Sequence, residues 1–158
     1  MIEKEAVVIL ENVRSAHNVG AIFRTAESVG VAKLYLVGYT PAPIDRFGRS
    51  VPDLQKTALG ADAMVPWEQR ADISTLITEL KNNGFSVVAV ERTDTAVDYK
   101  AHVPGDRVAF IFGNEVDGVS PEAQIAADVV ISLPMKGRKE SLNVSVATGI
   151  VLYRLLDT

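Results

Sequence analysis

Short apolar runs alternate with stretches of helical periodicity along the chain, and this alternation limits the fold more than any other feature. Residues 6–10 (AVVIL), 34–37, 85–90, 108–112 and the run Val129, Val130, Ile131, Leu133 have the length and apolar content of buried strands. Between them, Val19, Ile22, Phe23, Ala26 and Val29 recur at helical spacing, and Gly30 is placed to stop that helix. Ile73, Leu76, Ile77 and Leu80 mark another amphipathic helix, closed by Asn83-Gly84. Residues 54–59 and 121–127 read as shorter helices, residues 63–66 as a short strand and residues 12–18 as a polar loop. Apolar strands alternating with helices specify an α/β domain with a mostly parallel sheet and helices on both faces. In such sheets ligands bind beyond the carboxyl ends of the strands. Attention therefore falls on the segments after Val90, Phe112 and Leu133.

The last helix carries more apolar surface than one sheet can cover. Leu142, Val146, Ile150 and Tyr153 form one stripe, and Val144, Ala147, Val151 and Leu155 form another. A surface helix needs a single apolar stripe; a second asks for another covering surface, and a partner chain supplies one most simply.

Composition removes several function classes. The 158 residues suit one domain spanning 1–158, with no internal repeat, low-complexity tract or linker. Without cysteine there is no disulfide, thiolate metal site or thiol nucleophile. The start, Met1-Ile2-Glu3-Lys4-Glu5, is too charged for a signal peptide, and no run is long enough to cross a bilayer. A cytoplasmic location and no membrane partner are expected. The net charge of −4 argues mildly against a nucleic-acid partner. Yet Arg46, Arg49 and Lys56 lie in one probable loop region and Lys136, Arg138 and Lys139 in another. Such clusters are often only solvated surface; they are also sufficient to grip a short piece of RNA.

No G-x-G-x-x-G follows the first strand and no G-x-x-x-x-G-K-[ST] occurs. A serine-hydrolase elbow, G-x-S-x-G, is missing too. With only His17 and His102 and no thiol, no metal site is expected. What remains is a set of small and polar residues near the strand ends. Phe112-Gly113-Asn114-Glu115, followed by Gly118, reads either as a tight turn with a surface glutamate or as backbone shaped for close approach to a ligand. Ser141 and Asn143 stand at the start of the last helix, where Ser141 reads as an N-cap, and Asn18 can cap the first helix. Arg24, three residues before Glu27, has an exposed ion pair as its plain explanation.

Taken together, these stretches carry a resemblance. Asn18-x5-Arg24 with Gly30, then Phe112-Gly113-Asn114-Glu115 with Gly118, then Leu133-Pro134-Met135 leading to Ser141-Leu142-Asn143-Val144-Ser145 resemble the three ordered motifs of the SpoU/TrmH family. These are RNA ribose 2′-O-methyltransferases of the SPOUT superfamily. The resemblance runs from about Glu11 to Tyr153.

It implies a SPOUT-type α/β domain with a C-terminal trefoil knot, an arrangement that ordinary topology rules argue against. It implies S-adenosylmethionine as cofactor, held by Val90, Glu91, Gly113, Leu133, Met135, Ser141 and Leu142. It also implies a homodimer through the first and last helices, in agreement with the doubly apolar last helix. The residues at the family's catalytic positions are Asn18, Arg24, Glu115, Ser141 and Asn143. A guanidinium is effectively always protonated. Arg24 is therefore expected to bind a phosphate and stabilise a developing alkoxide, with a base role open through the substrate phosphate. Asn18 and Asn143 are expected to position the ribose and Arg24, Glu115 to orient a neighbour or the cofactor's polar groups, and Ser141 to hold its loop and donate a hydrogen bond. Methylation at pyrimidine C5, which uses a cysteine adduct, is excluded. Many relatives carry an added RNA-binding domain, which is not expected here. RNA grip is then assigned to Arg46, Arg49, Lys56, Lys136, Arg138 and Lys139, with tRNA or rRNA as the substrate. Two other functions fit the same residues: a non-catalytic RNA- or nucleotide-binding module of this fold, and a SPOUT enzyme methylating a base nitrogen.

Overall fold

The computed structural model describes residues 3–157. Met1 and Ile2 of the charged N-terminal stretch, and Thr158 at the end of the expected 1–158 domain, lie outside the described residues. In chain order the elements are β1 (Glu5–Glu11), α1 (Ala16–Val29), β2 (Lys33–Val37), α2 (Pro52–Ala58), β3 (Trp67–Arg70), α3 (Ile73–Asn82), β4 (Ser86–Val90), β5 (Val97–Asp98), β6 (Arg107–Phe112), α4 (Pro121–Ala126), β7 (Val129–Ser132) and α5 (Val144–Leu155). Short 3₁₀ turns occupy Ala61–Ala63 and Tyr99–Ala101. The strands form one seven-stranded sheet in the order β3-β2-β1-β6-β4-β7-β5, and every pairing is parallel.

The central strands are apolar throughout because both of their faces are buried. Successive side chains point to opposite faces, so Ala6, Val8 and Leu10 of β1 join a core with Val108, Phe110 and Phe112 of β6 beneath α1, α2 and α5. Val7 and Ile9 join Ala109 and Ile111 in the opposite core, beneath α3 and α4. Leu54 of α2 and Leu152 of α5 are fully buried in the first core, and Leu76 of α3 in the second. On the first face α1 and α2 meet at Gly20: a Cβ built there would lie 2.2 Å from the Leu54 carbonyl oxygen, so a larger residue would push the two helices apart.

Three boundaries differ from the sequence reading. The helix α1 begins at Ala16, inside the expected loop, because Ser15 rather than Asn18 is its N-cap; the Ser15 side chain accepts the Asn18 backbone N–H at 3.2 Å. It ends as expected, at Gly30 in a left-handed conformation. The strand expected at 63–66 is displaced to Trp67–Arg70, and residues 61–63 are a 3₁₀ turn. This edge strand, WEQR, has only one apolar residue and therefore no apolar pattern to reveal it. The two-residue edge strand β5 was not foreseen for the same reason. Among the described residues, no helix is long and apolar enough to cross a membrane.

Candidate active site

Parallel pairing brings the loops after β4, β6 and β7 to one edge of the sheet, where they surround a cleft of about 770 Å³ including its open mouth. Its walls include Val90 and Glu91 after β4, Gly113 to Gly118 after β6, and Leu133, Met135, Ser141 and Leu142 after β7. Val144 and Ala147 of α5 complete the lining. All seven residues expected to hold the cofactor thus face one cavity, and Glu115 stands with them. An apolar wall with a few polar groups is the usual lining of a small-molecule site.

The loop after β6 is shaped by close backbone packing. A Cβ at Gly113 would lie 2.3 Å from the Val119 nitrogen and from the Gly118 carbonyl carbon, so only glycine lets the loop fold back on itself. Asn114 and Gly118 exchange backbone hydrogen bonds of 3.1 and 2.9 Å. The Asn114 side chain, buried, accepts the backbone N–H groups of Val116 and Asp117 and donates to the Asn12 carbonyl at 2.8 Å and to Tyr39 Oη at 2.9 Å. The Val119 N–H donates to Glu91 Oε2 at 2.8 Å, which ties this loop to the end of β4.

At the rim, Glu115 gathers the start of α1. Its Oε1 accepts the Arg14 N–H at 2.9 Å, and its Oε2 accepts the Ser15 N–H at 3.0 Å and Asn18 Nδ2 at 3.1 Å. Asn18 Oδ1 in turn accepts Asn143 Nδ2 at 3.2 Å. Three segments far apart in sequence, around residues 14–18, 115 and 143, are therefore joined by one chain of hydrogen bonds. Partial burial opposes the Glu115 charge, but the Arg14 and Ser15 N–H groups and the Asn18 amide outweigh it and hold the carboxyl below its ordinary range.

Asn143, not Ser141, caps α5: its Oδ1 accepts the N–H groups of Ser145 and Val146 at 2.9 and 3.4 Å. This corrects the expected cap. Ser141 is left exposed on the cleft wall, two residues before the cap. Arg24 is not brought into the cleft of its own chain; it is exposed on α1 and, among the described residues, makes no ion pair with Glu27.

The six basic residues are all exposed. Arg46 and Arg49 lie after β2, Lys56 in α2, and Lys136, Arg138 and Lys139 after β7. The strands that lead into the two groups, β2 and β7, stand four positions apart in the sheet. Two residues that help shape the site carry no role in the sequence reading: Asn114, quoted there only as part of its motif, which pins three segments, and Arg92, whose guanidinium donates to the Glu140 carbonyl at 3.2 Å. A Gly-Asn pair leaving a strand is a turn signal, but nothing local in sequence shows what that asparagine reaches.

Comparison with solved structures gives the class. The fold superposes on a TrmH/SpoU tRNA modifying enzyme of Aquifex aeolicus with a TM-score of 0.86 and 34% identity, covering 98% of this chain and 75% of that one. An AdoMet-bound rRNA methyltransferase from Sinorhizobium meliloti gives 0.85 and 31%, covering 97% and 56%. In sequence, a tRNA (guanosine(18)-2′-O)-methyltransferase of Aquifex aeolicus is 36% identical over 151 residues, 96% of this chain and 68% of its own length. The model of the SpoU rRNA methylase family matches residues 5–153. The chain belongs to the SpoU rRNA methylase family.

Proposed function

We propose that this chain is an S-adenosylmethionine-dependent methyltransferase acting on a ribose 2′-hydroxyl of tRNA or rRNA, as a homodimer in the cytoplasm. The observation that carries the reading is the convergence of Val90, Glu91, Gly113, Leu133, Met135, Ser141 and Leu142 on one cleft, with the Glu115–Asn18–Asn143 chain at its rim. The lining suits the cofactor chemically. Leu133, Leu142, Val144 and Ala147 offer an apolar wall for a purine ring, and the carboxylates of Glu91 and Glu115 favour a cation. When bound there, S-adenosylmethionine supplies a methyl group already activated on sulfonium. A trefoil knot formed by the segment after β7 belongs to the same reading, as does a single domain over 1–158.

The protein's own task is then to place a hydroxyl and stabilise the charge it develops. Glu115, fixed by two backbone N–H groups, holds Asn18 in one orientation. Asn143 Nδ2 donates to Asn18 Oδ1, which leaves each amide nitrogen a second N–H for an incoming ribose. Ser141 lies on the cleft wall with its hydroxyl available as a donor. Arg24 supplies the permanent positive charge for the neighbouring phosphate and the developing alkoxide. Because Arg24 is exposed on α1 away from its own cleft, a homodimer built on α1 and α5 is the arrangement that carries it toward a second cleft. Val146, Ile150 and Tyr153, exposed along α5, are the apolar surface for that dimer.

Incubation with methyl-tritiated cofactor and bulk tRNA and rRNA, followed by alkaline hydrolysis, tests the reading. Label in alkali-resistant dinucleotides is the expected result; label confined to mononucleotides, or none, would overturn it. In the same assay Arg24→Ala is expected to lower turnover at least about 100-fold while cofactor binding is kept, and unchanged turnover would remove Arg24 from the mechanism.

A further inference from the structure

The loop between β2 and α2 carries a second concavity, an open groove lined by Tyr39, Thr40, Pro41, Ile44, Arg46 and Phe47 among others. Its aromatic residues face solvent: Phe47 is 66% exposed and Tyr39 58%. The guanidinium carbons of Arg46 and Arg49 lie 4.8 and 5.0 Å from the centre of the Phe47 ring. A tight hairpin holds this tip in place. Ile44 bridges Ser50, and Asp45 Oδ1 accepts the backbone N–H groups of Phe47 and Arg49 at 2.8 and 3.0 Å. Arg49 is also paired with Asp45, at 3.0 Å, whereas Arg46 has no ion-pair partner among the described residues.

We infer that Phe47 and Tyr39 form a stacking platform for an unpaired nucleobase of the substrate RNA, with Arg46 on the adjoining phosphate. The inference rests on the RNA-methyltransferase reading and names where a nucleotide near the modified one is seated. Exposed aromatic rings beside arginines are what single-stranded RNA selects, since every unstacked base offers a π-face and every linkage a negative charge. Charge separates this occupant from a protein of ordinary surface, because the chain as a whole carries −4 while this groove, with Arg46 and Arg49 against Asp45, is locally positive. One hydrogen bond links the groove to the candidate active site. Tyr39 Oη accepts a hydrogen bond from Asn114, the residue before Glu115 in the cleft wall, so RNA resting on the platform lies beside the methyl-transfer cleft. A preorganised hairpin lowers the ordering cost of such a contact.

The test uses the full chain with unfractionated tRNA and rRNA as substrate and a single-stranded oligoribonucleotide as a binding probe. Phe47→Ala is expected to raise KM for RNA about tenfold with little change in kcat, in cofactor affinity or in sedimentation mass. Phe47→Trp is expected to restore KM, and its fluorescence, read against the one native tryptophan, Trp67, is expected to be quenched by the oligoribonucleotide. An unchanged KM in Phe47→Ala would overturn the platform, as would a Phe47→Trp emission indifferent to RNA. A fall to monomer mass in Phe47→Ala would overturn it too, by assigning the groove to a second copy of the chain. Failure of the wild-type chain to methylate any RNA would instead strike the proposed function, since the quenching experiment reads binding alone.

Discussion

One carboxylate, that of Glu115, decides the geometry at the rim of the cleft. It accepts three N–H groups from the first turn of α1 and its approach, and through Asn18 it reaches the cap of α5. Its carboxyl is held below the ordinary range because those donors outweigh partial burial. A carboxylate with a depressed folded-state value contributes stability that is present above its unfolded value and lost as pH falls through the folded one. Glu115→Gln should therefore lower the unfolding midpoint by a constant amount between about pH 6 and 8, and the gap to wild type should narrow once pH falls below the ordinary glutamate value and close only below the depressed folded-state one. Thermal unfolding of both proteins across that range checks it; a gap that persists to the most acid condition would mean that the carboxylate charge is not what holds the rim. The residue types of this network are visible in the sequence, but their division of labour is not. In Ser15-Ala16-His17-Asn18 and in Ser141-Leu142-Asn143, serine and asparagine are both good N-caps. Only the packed structure assigns Ser15 and Asn143 to the helix ends, which frees Asn18 for the network and Ser141 for the cleft wall.

At the scale of elements, α5 resolves the puzzle of its two apolar stripes. Val144, Val151 and Leu155 are buried in the core, and Leu142 just before the helix, Val146, Ile150 and Tyr153 are exposed, at 37–50%. The expected second stripe therefore exists as open surface on the described chain. Thr148, on the buried stripe one turn after Val144, donates its hydroxyl to the Val144 carbonyl at 2.7 Å, so a polar residue can sit inside the core without a lone donor. Because Val146 is half-exposed, Val146→Asp should change the stability of an isolated chain by no more than about 0.5 kcal/mol. In the proposed homodimer it should bury a charge and drive the protein to monomer. Analytical ultracentrifugation with circular dichroism separates these effects; a folded dimer in this variant would place the subunit contact elsewhere. Elements with strong apolar periodicity, such as β1, β6, α1 and α3, are legible in the sequence because both-face burial or a single buried face writes itself into spacing. The edge strands β3 and β5 are not, since WEQR and VD bury too little to need a pattern.

For the whole molecule, the parallel sheet turns a linear order of motifs into a site. The loops after β4, β6 and β7 are separated in sequence, yet the order β6-β4-β7 sets them side by side. The alternation of strands and helices predicts such a sheet, and the rule that ligands lie beyond the carboxyl ends of strands predicts which loops matter. Strand order itself has no local signal, so the insertion of β6 between β1 and β4 becomes visible only in the structure. The account as a whole stands on these loops forming one cofactor site. Calorimetric titration of the full chain with S-adenosylmethionine measures this most directly, with Leu142→Glu alongside, since Leu142 lines the cleft and is 40% exposed. One equivalent bound per chain by the wild type, and heat abolished in a folded Leu142→Glu protein, is the predicted result; no heat with the wild type, or undiminished binding in the variant, would contradict it.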